Sequence, residues 1–372
     1  MAMETIQHSI GEIEAPARLS LFHGPSDPPL TTLTLASFLD LQCEHFGNKE
    51  CVVIPWTNTR WTYNTLKQQS SALARFLYSG GIRPGDRVAI LAGNCAEYVS
   101  VFFACMRLGA VLVILNNTYT IAEATYALQY TASKILFATP HIGRLDNSPM
   151  LYQFGQAHET LPALEQIVLL NGSLDGMTSY ADSIKIGESL SKSPIEDIQR
   201  SLSPYDVCNL QFTSGSTGNP KAAMLTHHGL LNNSRFIGDR MSLTSKDVLC
   251  CPPPLFHCFG LVLGLLAIMT HGGKIVYPSE IFDASAVLRT VSDEKCTALH
   301  GVPAMFDTIF STPRPAGFDC SRLRTGIIAG APVPRYLMEL LVNEFGMTEF
   351  TSSYGKSPFL RLEALALMRL AI

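Results

Sequence analysis

Charge is sparse and nearly balanced in this chain. Asp, Glu, Lys and Arg make up 16% of its 372 residues, and the formal net charge is −4. That excludes a strongly basic nucleic-acid binder and gives no general attraction to an anionic membrane. An anionic substrate would need a local trap, such as a loop of backbone N–H groups. The ten cysteines include no CxxC pair, which speaks against a zinc knuckle or a thioredoxin-like redox site. The start lacks a charged segment followed by an apolar one. A disulfide framework is therefore not indicated, and a reducing, intracellular compartment is expected. No apolar run supplies the roughly 18 residues that a membrane span needs. Val99 to Leu115 is broken by Arg107 and Gly109, and Leu255 to Met269 by His257 and Gly260. Both read as buried core. Internal repeats and low-complexity tracts are also missing.

What is present is apolar and periodic. Hydrophobic residues are 47% of the chain, enough core for two or three domains. Leu35, Phe38, Leu39 and Phe46 recur at helical spacing. Cys51 to Trp56 and Arg60 to Tyr63 read as short strands joined at Thr57-Asn58. Leu66, Leu73 and Leu77 mark one face of a helix that ends at Gly80-Gly81. Then strands alternate with helices: Arg87 to Leu91, Val111 to Leu115, Lys134 to Ala138 and Gln166 to Leu170 are strands. Asn94 with Glu97, and Thr120 with Glu123, give capping-box patterns that open the intervening helices. The alternation predicts an α/β fold, a parallel sheet with helices on both faces. The polar stretch Ser191 to Asp206, with Pro194 and Pro204, is a candidate boundary. It divides a first subdomain, residues 1–205, from a second, residues 206–355.

The sharpest signal runs from Leu210 to His227. An apolar strand enters Thr213-Ser214-Gly215-Ser216-Thr217-Gly218-Asn219-Pro220-Lys221. Gly215 and Gly218 permit positive φ and close approach of the backbone to a ligand. Successive N–H groups can form a nest for phosphate oxygens, with the hydroxyls as further donors and Lys221 as a compact charge. A Walker A loop needs four residues between its glycines and a Ser or Thr after the lysine. Here two residues separate Gly215 from Gly218 and Ala222 follows Lys221, so this is a different phosphate loop.

The string TSGSTGNPKAAMLTH resembles the phosphate-binding motif of the adenylate-forming (AMP-binding) superfamily, whose members include acyl-CoA ligases, luciferases and peptide-synthetase adenylation domains. Other segments agree in order: Arg83 to Leu91, Leu108 to Val113, Asn116 to Glu123, Phe256-His-Cys-Phe-Gly260, His300-Gly-Val-Pro-Ala304 and Arg324 to Pro332. The segments near Trp56 and Pro84 and the FHCFG block are most similar to fungal acyl-CoA ligases of siderophore and toxin pathways. The resemblance implies two doubly wound subdomains, and activation of a carboxylic acid with ATP before transfer to coenzyme A. Mg²⁺ would accompany ATP. It also implies roles. The Thr213 to Lys221 loop would hold the β- and γ-phosphates, and His257 would sit between acyl pocket and nucleotide. Gly330, Ala331 and Pro332 would line the adenine, with Tyr354 stacking on it beside Gly355. Phe259, Val302 and Pro303 would shape the acyl tunnel. No nucleic-acid partner is implied.

The resemblance stops after Gly355. The family continues Tyr-Gly-Met-Thr-Glu, whereas Tyr354-Gly355 is followed by Lys356-Ser357-Pro358. The words Gly-Met-Thr-Glu occur earlier, at residues 346–349, directly after the helix expected over Arg335 to Phe345. There Gly346 reads as a C-cap and Met347 as the start of a strand, which makes the copy a decoy. Residues 356–372 have no family counterpart, and the C-terminal domain with its adenylation lysine is expected to be missing. Impaired activity follows. The end Leu-Ala-Ile carries no peroxisomal tripeptide. Loading of a carrier-protein thiol, and a nucleotide-binding remnant without catalysis, are the alternatives.

Overall fold

The computed structural model describes residues 27–213 and 220–353. Residues 1–31 and 32–372 form two compact units, and every element below lies in the second.

Helix α1 (Leu35–Phe46) starts where the Thr34 hydroxyl accepts the Ser37 N–H. Strands β1 (Glu50–Ile54) and β2 (Thr59–Thr62) pair antiparallel. The reversal passes through Asn58, whose φ of 52° lies in the left-handed region that Asn tolerates. Next come α2 (Tyr63–Ser79), β3 (Arg87–Leu91), α3 (Ala96–Leu108), β4 (Val111–Ile114), α4 (Ile121–Thr131) and β5 (Ile135–Ala138). A hairpin of β6 (His141–Ile142) and β7 (Leu145–Asp146) precedes α5 (Ser148–Gln156), β8 (Gln166–Leu169), β9 (Thr178–Ser179), α6 (Tyr180–Ser189) and α7 (Ser193–Ser201). The remainder holds β10 (Val207–Thr213), β11 (Lys221–Thr226), α8 (His227–Arg240), β12 (Val248–Cys250), π-helical turns over Phe259–Leu266 and α9 (Ala267–Thr270). It closes with β13 (Lys274–Val276), α10 (Ala284–Asp293), β14 (Ala298–Leu299), α11 (Pro303–Ser311), β15 (Ile327–Ala329), α12 (Arg335–Phe345) and β16 (Thr351–Ser353).

The strands form a seven-stranded sheet, β11-β10-β4-β3-β5-β8-β9, and a five-stranded sheet, β14-β12-β13-β1-β2. The first is parallel except for β11, the second except for β2. Parallel bridges Ala298↔Thr325 and Gly301↔Ile328 carry the second sheet on toward the β15-β16 pair. Strand side chains alternate between faces, so each sheet feeds two cores. Val88, Ile90, Leu112 and Ile114 enter one core, while Ala89, Leu91 and Val113 enter another beneath α4 and α5. In the second sheet Leu249 and Ala298, with Ile327 of β15, join the first of these cores; Cys250 and Leu299, with Ile328 of β15, face a third, with α10, α11 and α12. The shared core also takes in Leu66, Leu73 and Leu77 of α2 and nearly all of α3. The architecture is therefore α/β in five layers, with α2 and α3 between the sheets. Among the described residues no helix is long and apolar enough to cross a membrane.

Three sequence expectations change. The stretch 191–206 contains a helix, α7, which buries Ile195, and it does not separate the sheets. Strands β1 and β2 belong with β12 to β14, whereas β10 and β11 belong with β3 to β5. The Thr120–Glu123 capping box forms, but Asn94 caps nothing. The N-cap of α3 is Cys95, without a side-chain bond. Asn94, 1% exposed, instead accepts the Leu255 N–H at 2.8 Å, and its own N–H goes to Glu280 O at 3.0 Å. A buried amide that satisfies the 255 loop is no longer available to a helix terminus.

Candidate functional site

The segment expected to hold phosphate connects the two strands of a hairpin. Strand β10 lies parallel to β4 and antiparallel to β11, with Phe212 opposite Ala222 and Thr213 opposite Lys221. The Thr213 hydroxyl donates to Lys221 O at 3.4 Å, closing the stem. Lys221 is exposed and Pro220 partly so. The positions Ser214, Gly215, Ser216, Thr217, Gly218 and Asn219 lie outside the described residues. The loop thus opens from the carboxyl end of a parallel strand, where α/β sheets bind ligands.

A second group stands at the carboxyl ends of β12, β14 and β15. After β12 the chain runs through Pro252-Pro253-Pro254 to His257, whose N–H donates to Pro254 O at 3.1 Å. The Phe259 N–H points at His257 Nδ1, 3.1 Å away. The Cys258 thiol beside the ring raises the His257 pKa, against the opposing effect of burial. Yet an N–H aimed at Nδ1 leaves no room for a proton there. The geometry is that of neutral imidazole with the proton on Nε2. The residue is exposed, and the Cys258 Sγ lies 3.9 Å from Nε2. From Phe259 the backbone widens into π-helical turns, a form concentrated at functional sites.

Gly260 makes that turn possible. A Cβ there would lie 2.2 Å from Pro254 O and 2.4 Å from its carbonyl carbon, both backbone atoms. Gly260→Ala is expected to cost about 3 kcal/mol, the upper end for overpacking, because backbone cannot rotate away. Chemical denaturation of the two proteins at equal pH measures it. A loss below a few tenths would show that the 254–260 turn moves freely.

His300 holds the other side together. It is fully buried, donates from Nε2 to Leu263 O at 3.0 Å and accepts the Ile327 N–H at Nδ1 at 3.1 Å. Its ring lies 5.6 Å from that of Phe259. It thereby joins the π-helical turns, β14 and β15. Sequence patterning singled out the HGVPA segment but gave this histidine no role; the signal available was a lone polar residue following a buried strand. Val302 meets Gly330, where a Cβ would come within 3.2 Å of Val302 Cγ1 and φ is +90°, a region that favours glycine. Pro303 is buried at the first turn of α11. Ala331 and Pro332 are exposed beyond β15. The structure therefore sets Phe259 against His300 and Val302 against Gly330, whereas Tyr354 and Gly355 lie outside the described residues.

The GMTE copy sits elsewhere. Gly346 is the left-handed C-cap of α12, and Met347 is 1% exposed. The strand begins at Thr351, not at Met347, so Glu349 stands before the amino end of β16. Its carboxylate pairs with Arg324 at 2.7 Å. Ligands collect at the opposite, carboxyl ends. Among the described residues no group of three His, Cys, Asp or Glu could hold a metal ion.

Residues 39–357 match the model of the AMP-binding enzyme family. The chain is 62% identical over 338 residues to an acyl-CoA ligase, sidI, of Beauveria bassiana, covering 91% of this chain and 58% of that one. It is 59% identical over 339 residues to the acyl-CoA ligase SID4 of Ajellomyces capsulatus, with the same coverage, 91% and 58%. It therefore spans a little under three-fifths of these relatives. Among solved structures, the anthranilate CoA ligase AuaEII in complex with anthranoyl-AMP superposes with a TM-score of 0.77 at 23% identity, over 90% of this chain and 62% of that one. The family model and the relatives cover the same stretch as the two sheets, and the chain belongs to the AMP-binding enzyme family.

Proposed function

We propose that this chain carries the nucleotide- and acyl-binding part of an acyl-CoA ligase of fungal secondary metabolism. The observation behind this is the agreement over 91% of the chain with relatives named acyl-CoA ligases, together with the hairpin that presents Lys221. A carboxylate oxygen attacks the α-phosphorus of ATP, the bond to pyrophosphate breaks, and acyl-AMP forms. The thiol sulfur of coenzyme A then attacks the acyl carbonyl, releasing AMP and the thioester. Holding the triphosphate and neutralising its developing charge are the tasks of the protein. The loop Thr213 to Lys221 takes the β- and γ-phosphates. His257 Nε2–H lies between acyl group and nucleotide, Phe259, Val302 and Pro303 wall the acyl group, and Gly330, Ala331 and Pro332 flank the adenine beneath Tyr354 and Gly355. Mg²⁺ enters with ATP, since no described side-chain cluster holds it. The ten scattered cysteines favour an intracellular setting.

Lys221→Ala is expected to weaken ATP binding by about 1.5–3 kcal/mol, the worth of one charge-assisted contact. Calorimetric titration of both proteins, folded alike by circular dichroism, tests it; equal affinities would remove the lysine from the site. ATP–pyrophosphate exchange tests the activity as a whole. Glu349 is engaged by Arg324 and no other described acid cluster replaces the family's carboxylate. Exchange about 10²–10³ below that of a full-length relative is therefore expected. Exchange at the relative's rate would show that this chain compensates for the departure after Gly355. Complete absence with intact ATP binding would support the non-catalytic alternative.

A further inference from the structure

Helices α1, α2, α3, α6 and α7 enclose a cleft of about 730 Å³ that includes none of the residues assigned to ATP or acyl binding. Its size suits a small molecule, but the usual apolar lining is missing. Ile195 is its one aliphatic residue, and its charged side chains are five basic and three acidic. Four of these eight are committed. Arg107 and Lys67 both pair with Asp40, at 3.0 Å each, and Arg200 pairs with Asp197.

Two cations, Arg75 and Lys192, and two anions, Glu188 and Glu196, are left without an ion pair among the described residues. Arg75 is only 6% exposed, and its Nε donates to Gly187 O at 2.6 Å. Neither Nη has a hydrogen-bond partner among the described residues. Glu188 attracts the guanidinium electrostatically but does not bond to it, and burial lowers the Arg75 pKa against that attraction. The Nη atoms are not themselves sealed from solvent, so the fork opens on the cleft and can donate to an acceptor that enters it. Lys192, exposed at the mouth, has no ion pair among the described residues.

We propose that this cleft is a binding site for a small phosphorylated metabolite, with the Arg75 Nη atoms and the Lys192 ammonium as its ligands to the phosphate. The planar fork of Arg75 matches two phosphate oxygens, and its fixed position gives direction. Lys192, on a flexible stem, supplies charge without geometry. The polar walls, with Gln68, Ser71 and Asn64, suit a hydroxylated ligand body and not an acyl chain.

The test is calorimetric titration of the whole chain with inorganic phosphate, with the ATP site saturated by ATP. Wild type and Lys221→Ala are expected to bind phosphate equally. Arg75→Gln should weaken it by roughly 10- to 150-fold, the loss of one charge-assisted contact, and Lys192→Ala by a smaller factor. If Arg75→Gln does not fold, Lys192→Glu decides, because that side chain lies on the surface; it should abolish the heat. No phosphate binding by wild type, binding unchanged in both Arg75→Gln and Lys192→Glu, or binding lost in Lys221→Ala would each overturn the proposal.

Discussion

Between pH 6.5 and pH 5 the stability of this protein is expected to fall steeply. His227 and His300 are 1% and 0% exposed, and burial lowers the pKa of each from 6.5 to about 4. The hydrogen bonds agree with that direction. His227 Nδ1 accepts the Leu35 N–H at 3.3 Å, and His300 Nδ1 accepts the Ile327 N–H. A proton placed on either nitrogen would face another proton. Both folded-state values lie below the unfolded one, so the unfolded chain binds more protons and stability rises with pH. Above pH 6.5 the penalty is absent; it grows as pH falls toward 4, to about 3 kcal/mol for each histidine. Denaturant unfolding at half-unit pH steps should show a slope approaching about 2.7 kcal/mol per unit from the two groups together. His227→Gln and His300→Gln should each remove about half of it. A flat profile from pH 6.5 to pH 5 would mean that one or both rings are protonated in the native state.

Arg107→Ala is expected to cost about 3–5 kcal/mol, the loss on breaking a buried ion pair. Its side chain is 4% exposed and joins four helices. Nη2 donates to Asp40 at 3.0 Å, Nη1 to Gln199 at 3.0 Å, and Nε to Ser70 at 3.1 Å. The remaining bonds from Lys67 and Gln199 to Asp40 soften the loss, placing the result toward the lower end. Asp40 gives the same pair a pH signature. Burial alone would raise its pKa, but the hydrogen bonds and charge of Arg107 outweigh this and hold it at about 2. That stabilisation, about 2 kcal/mol, is complete above pH 3.8 and is lost as pH falls toward 2. In Arg107→Ala the acid loss should shrink, and a double change of Asp40 and Arg107 to leucine should recover part of the stability. A single variant within 1 kcal/mol of wild type would show that water replaces the guanidinium without strain.

Local chemistry written in consecutive residues was legible. The apolar strand expected before the Thr213 to Lys221 loop is β10. Gly346 after an apolar-faced helix marks a C-cap, and that alone separated the GMTE copy from the site; Glu349 then proved to be paired with Arg324. The capping box at Thr120 needs no partner beyond its own turn, so it formed as written. The broken apolar run at 255–269 was core because His257 and Gly260 interrupt it without making it amphipathic.

What tertiary structure decided is which distant segment each piece meets. Strand β1 is early in the chain yet pairs with β13, because sheet partners are chosen by packing and not by sequence order. Asn94 has the residue type and spacing of a helix cap. The Leu255 N–H, 161 positions away, takes its oxygen instead. His300 looks like any lone polar residue until Leu263, Ile327 and Phe259 converge on it. Arg75 belongs to an unremarkable helical face in the sequence, and only the approach of Gly187 and α7 buries it. By itself the sequence determined the helical and strand periods and the family; the exchange of strands between sheets and the partners of buried polar groups were decided in the fold. Periodicity and caps depend on neighbours within about four residues, whereas a buried polar group takes whichever complementary atom desolvation leaves within reach.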